Sequence, residues 1–295
     1  MSYERLEQCP VCGKSEFKNF LVVTDNAVSK ESFVIVECEN CGFKFTNPRP
    51  DAASIGTYYE SEEYISHSNT KSGIINRAYH VVRSITTKQK VDLINRYAAS
   101  KGTILDYGCG TGVFLAACKK DGWEVRGVEP NEKARQIAST ETGEIIATSL
   151  QDIQGEKYDV ITLWHVLEHV HQLNETIDDL IDCLQEDGTL IIAVPNADSH
   201  DAQQYKENWA AYDVPRHLYH FTQQTMKRFL KKHRMKLEEV LPMKFDAYYV
   251  SLLSEKQKEG KASMLTSVVN GYKSNSHAEK NGNDYSSLIF VAKKK

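Results

Sequence analysis

The sequence predicts an α/β fold, a parallel sheet with helices on both faces, preceded by a small cysteine-bearing module. Three observations lead there. From about residue 102 onward, apolar strand runs alternate with helix-period runs; a glycine-rich turn joins the first strand of that series to its helix; and two Cys-x-x-Cys pairs stand upstream. Alternation of this kind buries a parallel sheet between two helical layers. At 295 residues the chain is long enough for one sizeable core and an accessory module.

The accessory module is expected over residues 1–50. Cys9-Pro-Val-Cys12-Gly13 and Cys38-Glu-Asn-Cys41-Gly42 are two knuckles of one design. Two intervening residues let both thiolates of a pair turn onto one ion, and the following glycine accepts a positive φ. Cys9, Cys12, Cys38 and Cys41 together make a closed tetrahedral set suited to structural zinc, or to iron with the same ligands. Phe33–Glu37 reads as a strand between the knuckles, so the unit resembles a zinc ribbon. The other three of the seven cysteines are scattered, a usage that fits metal binding in a reducing compartment better than disulfides.

Asn47-Pro-Arg-Pro50 marks a boundary, and residues 51–101 form a linker or lid segment with Tyr58, Tyr59 and Tyr64 as candidate lid residues. Ile74–Ala98 carries apolar residues near helical spacing, enough for one or two helices. Net charge is −4 and the isoelectric point about 6.2, so no global positive field calls for nucleic acid or an anionic membrane. Met1–Gln8 is polar, and no stretch approaches the roughly 18 apolar residues of a membrane span, which makes a cytoplasmic protein the expectation.

Residues 102–295 carry the main domain. Ile104–Gly112 reads Ile-Leu-Asp-Tyr-Gly-Cys-Gly-Thr-Gly: a strand ending on Asp106, a tight turn, and a helix from Val113. Such a turn lets backbone N–H groups approach a nucleotide-like ligand. A dinucleotide fingerprint needs glycine at 113, where this chain has valine, so a nicotinamide dehydrogenase is disfavoured. The next strand, Trp123–Glu129, ends on an acid 23 residues after Asp106, close to where nucleotide-binding α/β folds place the ribose carboxylate. The series continues through Glu132–Ser139, Glu144–Ala147, Tyr158–Leu163, Leu173–Leu184, Thr189–Pro195, Gln224–Lys232, Lys236–Leu241 and Ser287–Ala292. Ligands in such sheets lie beyond the carboxyl ends of the strands.

Asp-Tyr-Gly-Cys-Gly-Thr-Gly with the acid at 129 resembles the class I S-adenosylmethionine-dependent methyltransferases. Departures from that pattern are small: tyrosine at 107 and glutamate rather than aspartate at 129. The resemblance implies a Rossmann-like sheet whose final strand, Ser287–Ala292, inserts antiparallel. It also implies cofactor contacts from Asp106, Tyr107, Gly108, Cys109, Gly110, Gly112, Glu129, Pro130, Asp152 near the adenine, Trp164 and His165. Residues 197–222 resemble the W…D-x-P-x-H segment of a methyltransferase subgroup that often also carries N-terminal cysteine knuckles, and so make a substrate cap holding Tyr205, Trp209, Tyr212, Asp213, Arg216, His217, Tyr219 and His220. Residues 246–284 read as an insertion, partly helical and partly mobile.

The implied activity is methyl transfer from S-adenosylmethionine to a small molecule, with a hydroxyl of a sugar, lipid-linked compound or secondary metabolite as acceptor. A hydroxyl must lose its proton, and His165 and His217, with Asp213 as orienter, are the candidate catalytic residues. Two other readings stay open: a cofactor-holding binding or assembly module without activity, and an RNA or protein methyltransferase. His165-Val-Leu-Glu168-His169 matches the inverted zinc-peptidase pattern. It begins directly after a core strand and no distal acidic ligand is identifiable, so Glu168 and His169 are expected to open a helix, the acid favoured by the helix dipole.

Overall fold

The computed structural model describes residues 2–59, 74–98, 100–261 and 263–295. The first part is all β: β1 (Tyr3–Glu4), β2 (Phe17–Thr24), β3 (Ser32–Cys38), β4 (Lys44–Thr46) and β5 (Arg49–Pro50). β1 closes on β5, while β2, β3 and β4 form an antiparallel meander. A single helix, α1 (Ile74–Tyr97), leads into the main domain. There follow β6 (Thr103–Tyr107), α2 (Val113–Lys120), β7 (Glu124–Val128), α3 (Glu132–Thr142), β8 (Tyr158–Trp164), α4 (Leu173–Asp182) and β9 (Leu184–Pro195). The chain ends with α5 (His200–Tyr205), β10 (Tyr219–His220), α6 (Gln223–Lys232), β11 (Met235–Pro242), α7 (Asp246–Glu259), α8 (Met264–Lys280) and β12 (Ser287–Lys294).

The large sheet has six strands in the order β11-β12-β9-β8-β6-β7. β7, β6, β8 and β9 run parallel, and β12 pairs antiparallel with both β9 and β11, as the resemblance implies. Ile104, Leu105, Val160, Ile161, Leu163, Leu190, Ile191 and Ile192 are all fully buried. Strands covered on both faces read as unbroken apolar runs rather than alternating ones. The expected strand at 144–147 shrinks to one bridge between Val128 and Ala147. Ile145 is 91% exposed, so nothing beyond this edge holds an extended segment in register.

The insertion, expected to be partly helical and partly mobile, holds two helices: α7 and α8 pack on each other, with Gly271 of α8 set against Tyr248. The cysteine module is joined to the main domain by a shared sheet. β10 pairs with β4, placing Tyr219 opposite Phe45. Cys9, Cys38, Cys41, Phe43 and Phe45 belong to the same apolar cluster as Leu218, Tyr219 and Phe221. Among the described residues no helix is long and apolar enough to cross a membrane.

Candidate active site

The glycine turn is held over the end of β7 by two backbone bonds, from the Gly108 and Cys109 N–H groups to the Val128 carbonyl at 2.8 and 3.1 Å. Glu129 emerges there. Its Oε2 accepts from the Gly110 N–H at 2.9 Å and its Oε1 from the Asn131 N–H at 2.8 Å. Gly110 has φ 55°, and a Cβ built on it would meet nothing within 4 Å. The turn therefore keeps an open concave side that a side chain would narrow, in a left-handed conformation suited to glycine. Burial pushes the Cys109 thiol up, so it stays protonated and contributes through its backbone. Burial likewise raises the Tyr107 phenol. The carbonyl of exposed Pro130 accepts from Arg135 at 2.9 Å. Asp152 is exposed, and its Oδ2 caps its own turn by accepting from the Thr148 and Ser149 N–H groups, both at 3.0 Å.

Asp106 is 3% exposed and accepts from Thr162 Oγ1 at 2.6 Å. Burial pushes its carboxyl up to about 7, against the opposing hydrogen bond from Thr162 and the charge of Lys90. It is thus half protonated near neutrality. A ligand whose amino group lies beside it binds the ionised form and should tighten as pH climbs through about 7. S-adenosylhomocysteine is expected to bind roughly tenfold tighter at about pH 8 than at about pH 6. Calorimetric titration at both pH values checks this, and Asp106→Asn should flatten the dependence.

At the end of β8, Trp164 packs edge-on against Phe114 of α2, with ring centroids 5.4 Å apart, and Lys90 Nζ lies 4.3 Å from its ring. Its buried Nε1 has no hydrogen-bond partner among the described residues. His165 takes φ 57°, a strained position for a non-glycine residue. Its Nδ1 is 3.3 Å from Glu168 Oε1 and its Nε2 is 3.0 Å from Asp246 Oδ2. Although burial opposes the charge, the two carboxylates push this imidazole up to about 10. His165 is therefore a fixed imidazolium at neutral pH, which does not suit it to be a base. Glu168 does not open a helix: 167–169 is one 3-10 turn, α4 starts at Leu173, and Glu168 is completely buried.

The cap supplies His217, whose Nδ1 lies 2.8 Å from the Ala211 carbonyl. A carbonyl only accepts, so Nδ1 carries the proton and Nε2 the lone pair. The expected orienter, Asp213, stands 4.0 Å from His217 Nε2, beyond hydrogen-bond reach, and its carboxylate is held by Arg216 instead, at 2.6 Å. Trp209, Tyr212, Tyr205, Tyr219 and His220 are buried core rather than cavity walls. Trp209 donates its Nε1–H to Asp201 Oδ2 at 3.0 Å. A cavity of about 600 Å³ opens beside the ends of β8 and β9, lined by His165, Asp213, His217 and Asp246 and by Asn26 and Lys30 of the β2–β3 hairpin. Tyr59 Oη is 3.0 Å from His169 Nδ1, Tyr58 is buried against Glu31, and Tyr64 lies outside the described residues.

The methyltransferase-domain family matches residues 82–239, more than half of the chain. The chain belongs to that family. Its fold is that of the class I S-adenosylmethionine-dependent enzymes. The magnesium protoporphyrin IX methyltransferase of Synechocystis PCC 6803, solved with bound S-adenosylhomocysteine, superposes with a TM-score of 0.53 at 15% identity, covering 81% of this chain and 97% of that one. The ubiquinone biosynthesis O-methyltransferase of Rickettsia prowazekii is 29% identical over 149 residues, 46% of this chain and 58% of the relative. That of Actinobacillus pleuropneumoniae serotype 7 is 35% identical over 107 residues, 32% of this chain and 45% of the relative. The chain thus spans about half the length of the curated relatives it matches.

Beside this methyltransferase core, the four cysteine thiols converge as expected, with Cys9–Cys41 and Cys12–Cys38 sulfur separations of 3.5 Å and one donor atom from each within 4.8 Å of the others. Sequence reading missed Asp25. It is 1% exposed in the β2–β3 hairpin and accepts from Arg216 Nη2 at 3.0 Å, tying the module to the cap. An isolated aspartate in a hairpin carries no motif, so only the fold reveals its partner.

Proposed function

We propose that this protein transfers a methyl group from S-adenosylmethionine to a hydroxyl of a small organic molecule. The observation that carries the reading is the juxtaposition, at adjacent strand ends, of the open turn at Gly110 and Glu129 with the cavity at His165 and His217. The open space over Gly110 and the unpartnered Trp164 Nε1 fit a bound nucleoside-type cofactor. Glu129 would take the ribose hydroxyls, Asp106 the amino-acid end and Asp152 the adenine, through the oxygen its cap leaves over. Bound S-adenosylmethionine supplies an already activated methyl group, so the chain's part is to align the acceptor and draw off its proton. His217, with its lone pair at the cavity edge and Asp213 beside it, is placed for that task, and His165 is a positioning cation. The O-methyltransferase names of the relatives support oxygen as the receiving atom.

In the same reading, residues 1–50 form a zinc module that walls the acceptor cavity through Asn26 and Lys30, residues 51–101 lead in, and residues 102–295 make the cofactor-binding domain. The four thiols suit zinc: at about 2.3 Å from one ion, tetrahedral thiolates stand roughly 3.8 Å apart. The test is incubation with radiolabelled methyl donor and panels of phenols, sugars and lipid-linked alcohols, alongside RNA and total protein. Label in a small-molecule product is expected. Label only in RNA or protein would move the assignment to those substrates, and a folded protein that binds no S-adenosylhomocysteine would sink it.

A further inference from the structure

We propose that Glu168, His169 and His217 form a binding site for a divalent transition-metal cation at the edge of the acceptor cavity, distinct from the four-cysteine cluster. One donor atom from each of the three lies within 4.8 Å of the others. Two ligands each about 2.1 Å from a shared ion stand roughly 3–3.5 Å apart, so small side-chain adjustments close the set.

The hydrogen bonding around the cluster leaves a metal-ready donor on each residue. His217 Nδ1 faces the Ala211 carbonyl at 2.8 Å, and His169 Nδ1 faces the Arg216 carbonyl at 3.1 Å. His217 Nδ1 carries the proton to serve its carbonyl, which leaves the Nε2 lone pair free; His169 Nδ1 does the same when it donates to the Arg216 carbonyl, with Tyr59 Oη 3.0 Å from the same nitrogen. Histidine ligands are oriented in this way, by a backbone acceptor on the far nitrogen. Glu168 has 0% exposure; its Oε1 is engaged by His165 at 3.3 Å, while its Oε2 has no hydrogen-bond partner among the described residues. An unpaired carboxylate oxygen in the interior is costly. A cation removes that cost, and two imidazoles with one carboxylate suit zinc, manganese or iron while leaving positions open. The set differs from the inverted peptidase pattern: His165 is outside it, held by Glu168 and Asp246, and the third donor comes 48 residues after His169, from His217 on the cap.

The inference rests on the proposed methyl transfer and refines the part of His217, which becomes a ligand rather than the base. His217 lines the cavity, so open coordination positions are available to an acceptor hydroxyl. A cation there lowers the pKa of that hydroxyl, its proton passing to solvent.

The test is titration of manganese(II) into the protein as purified, followed by calorimetry and by the electron paramagnetic resonance of free manganese. Manganese prefers nitrogen and oxygen ligands and leaves a four-thiolate site to zinc. One equivalent bound by the wild type, weakened tenfold or more in both Glu168→Gln and His217→Ala, is the expected result. No uptake by the wild type, or uptake unchanged in the two variants, overturns the site. Melting curves show whether each variant folds, and if Glu168→Gln fails to fold, His217→Ala decides alone. S-adenosylhomocysteine titrated in parallel separates the two ideas. Loss of manganese uptake with that binding intact removes only this site, whereas absent nucleoside binding removes the methyltransferase reading and leaves the manganese result legible.

Discussion

Arg216→Met should destabilise the fold by about 3–5 kcal/mol, the range seen when one partner of a buried ion pair is removed. Arg216 is 1% exposed and each of its three guanidinium nitrogens donates a hydrogen bond. It donates to Asp213 at 2.6 Å, to Asp25 at 3.0 Å and to the Tyr58 carbonyl at 3.0 Å. Asp25 in turn accepts from the Ser29 N–H at 2.8 Å and the Ala27 N–H at 3.0 Å, so it shapes the hairpin that Arg216 grips. Removing the guanidinium strands the buried Asp25 carboxylate and leaves the part-exposed Asp213 carboxylate unpaired, so both the β2–β3 hairpin and the cap lose an anchor. Arg216→Lys should recover little, because a single ammonium cannot reproduce the planar fork. Adding Asp25→Asn to Arg216→Met should recover part of the loss by removing one stranded charge. Urea unfolding of the three variants checks this. A change of under about 1 kcal/mol in Arg216→Met would mean that this network does not hold the module to the cap.

That network also shows where sequence reading stops. β6 and β8 were legible because each is mostly an apolar run buried on both faces, β7 because its buried Val125 and Val128 lead to an acid at the expected distance, and the glycine turn because its backbone demands few residue types. The cysteine knuckles were legible because their spacing is set by the reach of two thiolates to one ion. Asp25 and Arg216 are 191 residues apart and obey no spacing rule, so nothing local marks them as partners. The same holds for Glu168: its place after a strand suggested a helix start, yet the cap folds over it and Leu218 donates its N–H to the Glu168 carbonyl at 2.8 Å. The cap aromatics were recognisable as important but not as core, since an amphipathic ring fits either place. α7 and α8 were under-read for a compositional reason. α8 leaves Leu265, Val268, Val269 and Tyr272 at least 48% exposed while burying Ser267, Ser274 and Asn275, which inverts the usual pattern of an amphipathic helix.

The cofactor site gives the second large effect. Glu129→Ala should weaken S-adenosylhomocysteine roughly 10- to 100-fold, the loss expected for hydrogen bonds to a charged group. Glu129 is already engaged, with Oε2 on the Gly110 N–H and Oε1 on the Asn131 N–H. That does not exhaust it. Each carboxylate oxygen has two lone pairs, so one on each side remains for a pair of ribose hydroxyls. The carboxylate therefore does two things at once: it sets the shape of the glycine turn and presents acceptors to the sugar. Glu129→Gln separates them. The amide keeps one acceptor oxygen but gains a donor that cannot serve a backbone N–H, so the turn should loosen and affinity should fall between wild type and Glu129→Ala. Adenosine as a second ligand locates the defect. Glu129→Ala should weaken adenosine and S-adenosylhomocysteine alike, because both carry the ribose. Asp106→Ala should weaken only S-adenosylhomocysteine, because adenosine lacks the amino-acid end. If Glu129→Ala binds both ligands as tightly as wild type, the ribose does not sit at the end of β7. The open side of the Gly110 turn would then need another occupant.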